Sequence, residues 1–243
     1  MTIIPLSRAR LIGALASGWQ VANATRAISI AYAGVFTLIG VAILGSLLGL
    51  GLAPLVIAAA GAFMLVGPAV LAGFFGIAAA REAGERPGLG SVVAGFRRAD
   101  AGLWVVALVC ALLFMIFVTD VATLYSYMVG GVPVWLTDLI PTAANVAGFL
   151  QWGIVSGAVF ALLLYAVAAF SVPLLCERRA GLVGAVATSV RIVLGNFPVA
   201  ILWGIMLAAL LMGSILLLPL FPLTLPWLAY ASRALYRETL PEA

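Results

Sequence analysis

AISIAYAGVFTLIGVAILGSLLGLGLAPLVIAAAGAFMLVGPAVLAGFFGIAAA is the stretch between Arg26 and Arg81 that decides the fold. These roughly 54 residues carry no charge, and as one helix they would extend for roughly 80 Å at about 1.5 Å per residue. The hydrocarbon core of a bilayer is only about 30 Å thick, so the stretch must fold back on itself. Glycine and proline at 49–54 mark the turn. The sequence therefore predicts two membrane spans, over residues 28–49 and 54–79.

Further apolar runs follow along the chain. One covers 101–121 and another 145–175, where Pro173 near the end predicts a tilt or a kink because proline breaks the helical hydrogen-bond ladder. The charge-free stretch between Arg191 and Arg233 is again too long for one crossing, which predicts spans over 197–216 and 219–236. Prolines at 219 and 222 leave two alternatives for this last part: two full helices, or one span and a re-entrant segment.

Composition agrees with a membrane protein. Hydrophobic residues make up 65% of the chain and charged residues 8%, with a mean hydropathy of +1.27. Soluble domains contain about 25% charged residues, so this chain cannot cover a water-facing surface. The predicted fold class is all-α, a polytopic helical bundle that forms a single membrane domain over residues 1–243.

The arginines predict the topology. Short cytoplasmic loops collect basic residues, and all twelve basic residues here are arginine. Six spans with a cytoplasmic N-terminus place all twelve inside, and leave only Asp120 and Asp138 outside. Five spans would move Arg233 and Arg237 outside. We therefore predict six transmembrane helices, both termini in the cytoplasm, and the bacterial inner membrane as the location. No cleaved signal-peptide pattern precedes the first span, and Cys110 and Cys176 are not expected to form a disulfide.

Cytoplasmic segments with amphipathic patterns predict short interfacial helices, which lie with their apolar face in the membrane and arginine toward the headgroups. The first is an N-terminal helix over about 8–25, and the others fall in the loops near 92–98 and 182–193. They either re-orient the chain between spans or recognise lipid headgroups. The candidate headgroup contacts are Arg97, Arg98, Arg178, Arg179 and Arg191.

The two later loops also resemble each other. Five positions from Gly88 to Arg98 match positions from Gly181 to Arg191 at a constant offset. Duplication or chance could produce five matches among small and apolar residues. A duplication would make the spans on either side of the two loops parallel repeats.

Small residues four positions apart allow two helices to approach closely in a bilayer. Such pairs either pack within the chain or bind another membrane protein. The candidate helix-packing residues are Gly45, Gly49, Gly153, Gly157 and Gly204. Asp120 and Gln151 are the candidate functional polar residues. Asp120 lies at the outer end of the third span and is either an ordinary interfacial carboxylate or a proton- or cation-binding group. Gln151 on the fourth span either hydrogen-bonds across the bundle as part of the structure or belongs to a transport pathway.

The residue inventory argues against catalysis. There is no histidine, which excludes haem held by two histidines and histidine-based zinc or copper sites. Without lysine there is no phosphate-binding loop of the Walker type. We therefore expect no enzyme activity, no cofactor, no metal site and no nucleic-acid partner.

Several segments of the chain together point to a family resemblance. They are 14–19, 31–34, 67–68 with Gly73, 81–87, 170–178, 189–191 with Asn196 and Trp203, and 222–230. On these segments the chain, from about Leu11 to Arg237, resembles a family of uncharacterised bacterial integral membrane proteins, a domain of unknown function whose members are often labelled cytochrome c oxidase subunit I. The resemblance implies a polytopic fold and no established activity. Since the chain has no histidine, it is not the catalytic subunit that the label names.

Two functions fit these observations. The first is a non-catalytic accessory or assembly factor of a membrane complex, with a respiratory complex as one example, which binds a partner protein or a second copy through helix packing. The alternative is a transporter or channel for a small solute or a lipid, suggested by Asp120 and the proline-interrupted spans.

Overall fold

The computed structural model describes residues 3–130, 135 and 144–241. The predicted outer loop, with Asp138, lies outside these residues. The described part is helical and contains no strand. It has ten α-helices and one short 3-10 helix: α1 (Arg8–Ala24), α2 (Arg26–Gly49), α3 (Ala53–Glu82), α4 (Leu89–Arg98), α5 (Ala101–Val129), α6 (Ala144–Ala168), α7 (Ser171–Cys176), α8 (Leu182–Gly195), α9 (Phe197–Leu216), the 3-10 helix (Leu218–Leu220) and α10 (Phe221–Thr239).

The chain divides into two compact units. The first comprises residues 1–37, 67–107 and 165–243, and the second comprises residues 38–66 and 108–164. Helices α2, α3, α5 and α6 each contribute residues to both units. The core of the second unit contains Val121, Tyr125, Val129 and Phe149. The rings of Tyr125 and Phe149 meet edge to face, with centroids 5.7 Å apart.

Among the described residues, four helical segments are long and apolar enough to cross a membrane: Arg26–Gly49, Ala101–Val129, Val146–Cys176 and Phe197–Ile215. They correspond to four of the six predicted spans. Helix α3 covers the predicted span 54–79, and its crossing stays a prediction. Helix α10 covers most of the predicted span 219–236 but carries three charged residues in its last two turns, Arg233, Arg237 and Glu238, and it is not among the four.

The third predicted span is longer than expected. The prediction ended it at residue 121 because the apolar run stops at Asp120 and a polar, turn-rich stretch follows, whereas α5 continues to Val129. The polar side chains do not end this helix because carbonyl groups of the helix accept hydrogen bonds from their hydroxyls. The hydroxyls of Thr119 and Thr123 donate to the carbonyls four residues earlier, at 2.8 and 2.7 Å.

The predicted irregularity near Pro173 is a break between α6 and α7. Proline has no N–H to donate to the carbonyl of Ala169, four residues earlier. Next to this break, a serine from α8 bridges a backbone N–H and the carbonyl four residues before it. The Ser189 hydroxyl donates to the carbonyl of Ala166 at 2.7 Å and accepts from the N–H of Phe170 at 3.1 Å. This fully buried side chain therefore holds α8 against the break.

Helix α1 covers the predicted N-terminal helix and packs antiparallel along α10; its location at the membrane interface stays a prediction. Its buried face consists of Leu11, Ala14, Gly18 and Ala22. This buried face consists mostly of small residues, spaced so that the two backbones touch. A Cβ on Gly18 would stand 2.5 Å from the backbone nitrogen of Ala231.

The two loops that resemble each other in sequence form similar helices. Helix α4 begins at Leu89 after Gly88, and α8 begins at Leu182 after Gly181, which are corresponding positions of the sequence match. Helix α4 lies so close to α3 that a Cβ on Gly76 would stand 2.7 Å from the Cα of Gly95.

Candidate functional site

Asp120 lies inside α5, nine residues before the end of the helix. It is the one charged residue of this candidate span. Its carboxylate accepts a hydrogen bond from the hydroxyl of Ser156 on α6, and both side chains are half-buried. The prediction placed Asp120 at the outer end of a shorter helix. The structure instead gives it a polar partner between two apolar helices, which is the arrangement that an ionisable group needs in a span.

Gln151, the other polar candidate, is exposed on α6. It precedes Ser156 by five residues on the same helix. None of the hydrogen bonds of the described residues joins it to Asp120. The two polar candidates therefore do not form one site in the described part of the chain.

The candidate packing glycines fall into two groups. Gly157 lies 3.5 Å from the ring of Phe117, and Gly204 lies 3.5 Å from the ring of Tyr165, each measured from the place of a missing Cβ. These two glycines support contacts between helices of the chain. A Cβ at Gly45, Gly49 or Gly153 would meet no described atom within 4 Å.

The candidate headgroup arginines also differ from one another. Arg97, Arg98, Arg178 and Arg191 are exposed, as a headgroup contact requires. Arg179 is engaged by the C-terminal segment. Its guanidinium donates to the Tyr236 hydroxyl at 3.1 Å and to the carbonyls of Leu240 and Pro241 at 2.6 and 2.9 Å.

A charged cluster that the sequence did not reveal ties three parts of the first unit together. Arg233 of α10 is 6% exposed and forms ion pairs with Glu82, at the end of α3, and Glu177, just after α7, at 2.6 and 3.2 Å. Arg237 pairs with the same two glutamates at 3.1 and 2.9 Å. Positions distant in sequence gave no sign of this pairing. The one available signal was that all four residues were predicted on the cytoplasmic side.

The cluster shifts the pKa of two of its members, Glu82 and Arg237. Partial burial alone would raise the pKa of Glu82, but the hydrogen bonds and positive charges of Arg233 and Arg237 outweigh it and hold that pKa below its ordinary value. Partial burial alone would lower the pKa of Arg237, but the negative charges and hydrogen bonds of Glu177 and Glu82 keep it above its ordinary value. Each of these two groups therefore stabilises the charged form of the other.

Metal binding finds no support in the described residues, because no three histidine, cysteine, aspartate or glutamate side chains come together as a ligand set. Cys110 and Cys176 are separate buried thiols.

Comparison with known proteins gives one match. A family model described as a predicted integral membrane protein (DUF2189) matches residues 55–177, which run from the start of α3 to just past α7. No curated protein and no solved structure matches the chain.

Proposed function

This chain belongs to the DUF2189 family of predicted integral membrane proteins, and on that premise we propose that it is a non-catalytic accessory or assembly factor of a membrane complex. It spans the bacterial inner membrane six times, with both termini in the cytoplasm. It acts by binding a partner membrane protein along a glycine face of α2.

One observation carries this proposal. Gly45 and Gly49 lie one turn apart on α2, both are exposed, and neither has a described atom within 4 Å of its missing Cβ. Glycine pairs of this spacing let helices approach closely where lipid offers no competing hydrophobic gain. Since this face is free of described contacts in the single chain, a helix of another protein is its natural occupant.

The proposed topology rests on the charged cluster. Arg237 near the end of α10 pairs with Glu82 at the end of α3 and with Glu177 just after α7. These pairs put the ends of the three helices together, as expected if α3, α7 and α10 all end on the cytoplasmic side. The arginine distribution then favours six crossings rather than five.

The test is co-purification from native membranes in a mild detergent, with native mass spectrometry of the full-length protein. We expect a stoichiometric membrane partner with the wild type and its loss with Gly45→Leu/Gly49→Leu, whose side chains hold the helices apart. Gly34→Leu is the matched control, because Gly34 is on the same helix, is equally unobstructed and has no small residue four positions away. A wild type that purifies alone, or a double variant that keeps the partner, contradicts the proposal.

Transport of a small cation is the second candidate, and the Asp120–Ser156 hydrogen bond favours it. A carboxylate between two apolar helices is a group to which a proton or a cation can bind. In proteoliposomes loaded with a pH-sensitive dye, this function predicts a proton flux that Asp120→Asn abolishes and that Gln151→Ala, an exposed change on α6, leaves unchanged. An equal flux for wild type and Asp120→Asn rules this candidate out.

A further inference from the structure

A cleft of about 280 Å³ lies between the end of α3 and α4, within the first unit. Its walls are mostly glycine and alanine, among them Gly76 and Gly90, with the hydroxyl-bearing Ser91. Three charged side chains line it as well: Glu85, Arg86 and Arg98. Small walls leave room for a ligand, and two positive charges against one negative charge favour an anion.

The two arginines of the cleft are unpaired. Neither Arg86 nor Arg98 forms an ion pair or a side-chain hydrogen bond with any described residue, whereas Arg233 and Arg237 of the same unit are each held by two glutamates. A guanidinium offers five N–H donors and matches the planar geometry of carboxylate and phosphate oxygens. The cleft thus has donors without acceptors.

The matching segment later in the chain indicates which kind of acceptor the guanidinium groups of Arg86 and Arg98 could bind. At the offset of the sequence match, Arg86 corresponds to Arg179 and Arg98 to Arg191. The guanidinium of Arg179 donates hydrogen bonds to three oxygens of the C-terminal segment, which are the Tyr236 hydroxyl and the carbonyls of Leu240 and Pro241. No described segment supplies such oxygens to Arg86. The described part of the chain therefore supplies oxygen acceptors to Arg179 but none to Arg86, the corresponding arginine of the earlier loop.

The surroundings of the cleft indicate where the acceptor comes from. Leu89 and Val93 are adjacent to the cleft residues Gly90 and Ala94, and they are 73% and 48% exposed. Exposed apolar side chains beside arginine are the pattern of a helix at the membrane interface, with arginine near the headgroups. A lipid presents a phosphate and acyl chains together, and this combination fits both parts of the surface.

We propose that the α3–α4 cleft binds the phosphate of an anionic phospholipid headgroup through Arg86 and Arg98, with the acyl chains along Leu89 and Val93. Glu85 adds one negative charge, so a phosphate with a single charge fits better than a doubly charged one. The N–H groups of Ser91 and Val92 already donate to the Gly88 carbonyl, so only those of Leu89 and Gly90, at the start of α4, add to the donors. This site is independent of the glycine face of α2.

The experiment uses the full-length protein in a neutral detergent and measures binding of phosphatidylglycerol by native mass spectrometry. Hydrogen bonds to charged groups are strong enough that losing each guanidinium should weaken binding by roughly tenfold. We therefore expect a large loss with Arg86→Gln/Arg98→Gln. Arg8→Gln/Arg26→Gln removes the same net charge from exposed sites that are neither in the cleft nor among the candidate headgroup contacts, and should keep the affinity close to that of the wild type.

A third variant tests the cleft without changing its charge. A side chain at Gly90 would meet no described atom within 4 Å, so Gly90→Leu can be accommodated while it fills space in the cleft. We expect it to weaken phosphatidylglycerol binding while the melting temperature without lipid stays unchanged. Retained binding with this variant would contradict a site inside the cleft.

Two further ligands separate the sources of the phosphate. Phosphatidylcholine should bind weakly, because its headgroup has no net charge. Inorganic phosphate and glycerol 3-phosphate should raise the melting temperature much less than phosphatidylglycerol does. An equal effect of free phosphate would overturn the lipid assignment, and equal losses in the two double variants would overturn the cleft assignment.

Discussion

Arg233 lies at the centre of the charged cluster and is the most deeply buried of its four members. Its side chain is 7% exposed, against 14% for Glu177 and 48% for Glu82. A buried charge is tolerated only where hydrogen-bonded partners compensate its lost hydration. The two glutamates provide this compensation, and they come from positions 56 and 151 residues away in sequence.

Replacing Arg233 with methionine should lower the melting temperature. Methionine keeps an apolar side chain at this position, but Glu177 and Glu82 each lose one of their two arginines. A cost of about 1–3 kcal/mol is expected for weakening such a hydrogen-bonded pair. Arg237→Met, at the 41% exposed position, should cost less because water compensates for the lost contacts. An equal fall in melting temperature for the two variants would show that the burial of Arg233 does not determine how much the charged cluster stabilises the protein.

The cluster also predicts how stability depends on pH. The pKa of Glu82 is lower in the folded protein than its ordinary value, so its contribution is present above the ordinary carboxyl pKa of about 4.3. That contribution disappears as the pH falls through the lower, folded-state pKa. The melting temperature should therefore drop as the pH falls below about 4.3, and Glu82→Gln should show a smaller drop.

Glu85→Gln is the control for this titration. Glu85 forms no ion pair with a described residue, so its replacement should leave the acid-induced drop as in the wild type. An unchanged drop in Glu82→Gln would mean that other carboxyl groups cause the acid sensitivity.

At the scale of helices, the first helix, α1, and the last helix, α10, pack closely against each other. Ile4, just before α1, donates its N–H to the carbonyl of Thr239 at 2.9 Å, and the hydroxyl of Ser29, early in α2, bonds with the Tyr230 hydroxyl of α10 at 2.6 Å. Between Ile4 and Ser29 along the chain, Ala14, Gly18 and Ala22 provide the small face that lets the backbones meet.

Gly18→Ala should destabilise the protein by about 1–3 kcal/mol, the usual cost of overpacking a tight contact. The new methyl group would overlap the backbone of Ala231, which cannot move away as a flexible side chain could. Gly34→Ala on the neighbouring helix meets no described atom and should be neutral or slightly stabilising, because alanine favours helix. Melting in detergent compares the two, and similar melting temperatures would show that α1 does not pack on α10 in this way.

Sequence periodicity was a good guide to the long helices and a poor guide to their contacts. A charge-free run longer than the bilayer forces a turn at 49–54, and α2 and α3 meet at this point. The end of α5 was predicted too early because Thr119, Thr123 and Asp120 find acceptors or donors that a sequence cannot show.

The small-residue faces illustrate the same limit. Spacing alone predicted Gly45, Gly49 and Gly153 as packing residues, but the closest approaches are at Gly18, Gly76 and Gly95. Small residues four positions apart show that a helix can approach closely, but whether it does depends on which helix lies opposite. The charged cluster needed the three-dimensional positions of α3, α7 and α10, which no local pattern contains.

At the scale of the whole molecule, the account rests on topology. The arginine-rich segments, the cleft and the charged cluster all belong to the side that we assign to the cytoplasm, and the assignment requires α10 to return the chain to that side. Helix α10 carries charges in its last two turns, so it can cross only if these turns project beyond the hydrocarbon core.

Cysteine labelling in intact cells tests this topology most directly. Single cysteines replace Glu85 in the second loop, Trp135 in the outer loop and Pro241 after α10, and a membrane-impermeant maleimide is added before or after permeabilisation. The native Cys110 and Cys176 are buried, so they contribute little background. Six spans predict that position 135 is labelled in intact cells and that positions 85 and 241 are labelled only after permeabilisation. Labelling of position 241 in intact cells would place the end of α10 outside and contradict the account.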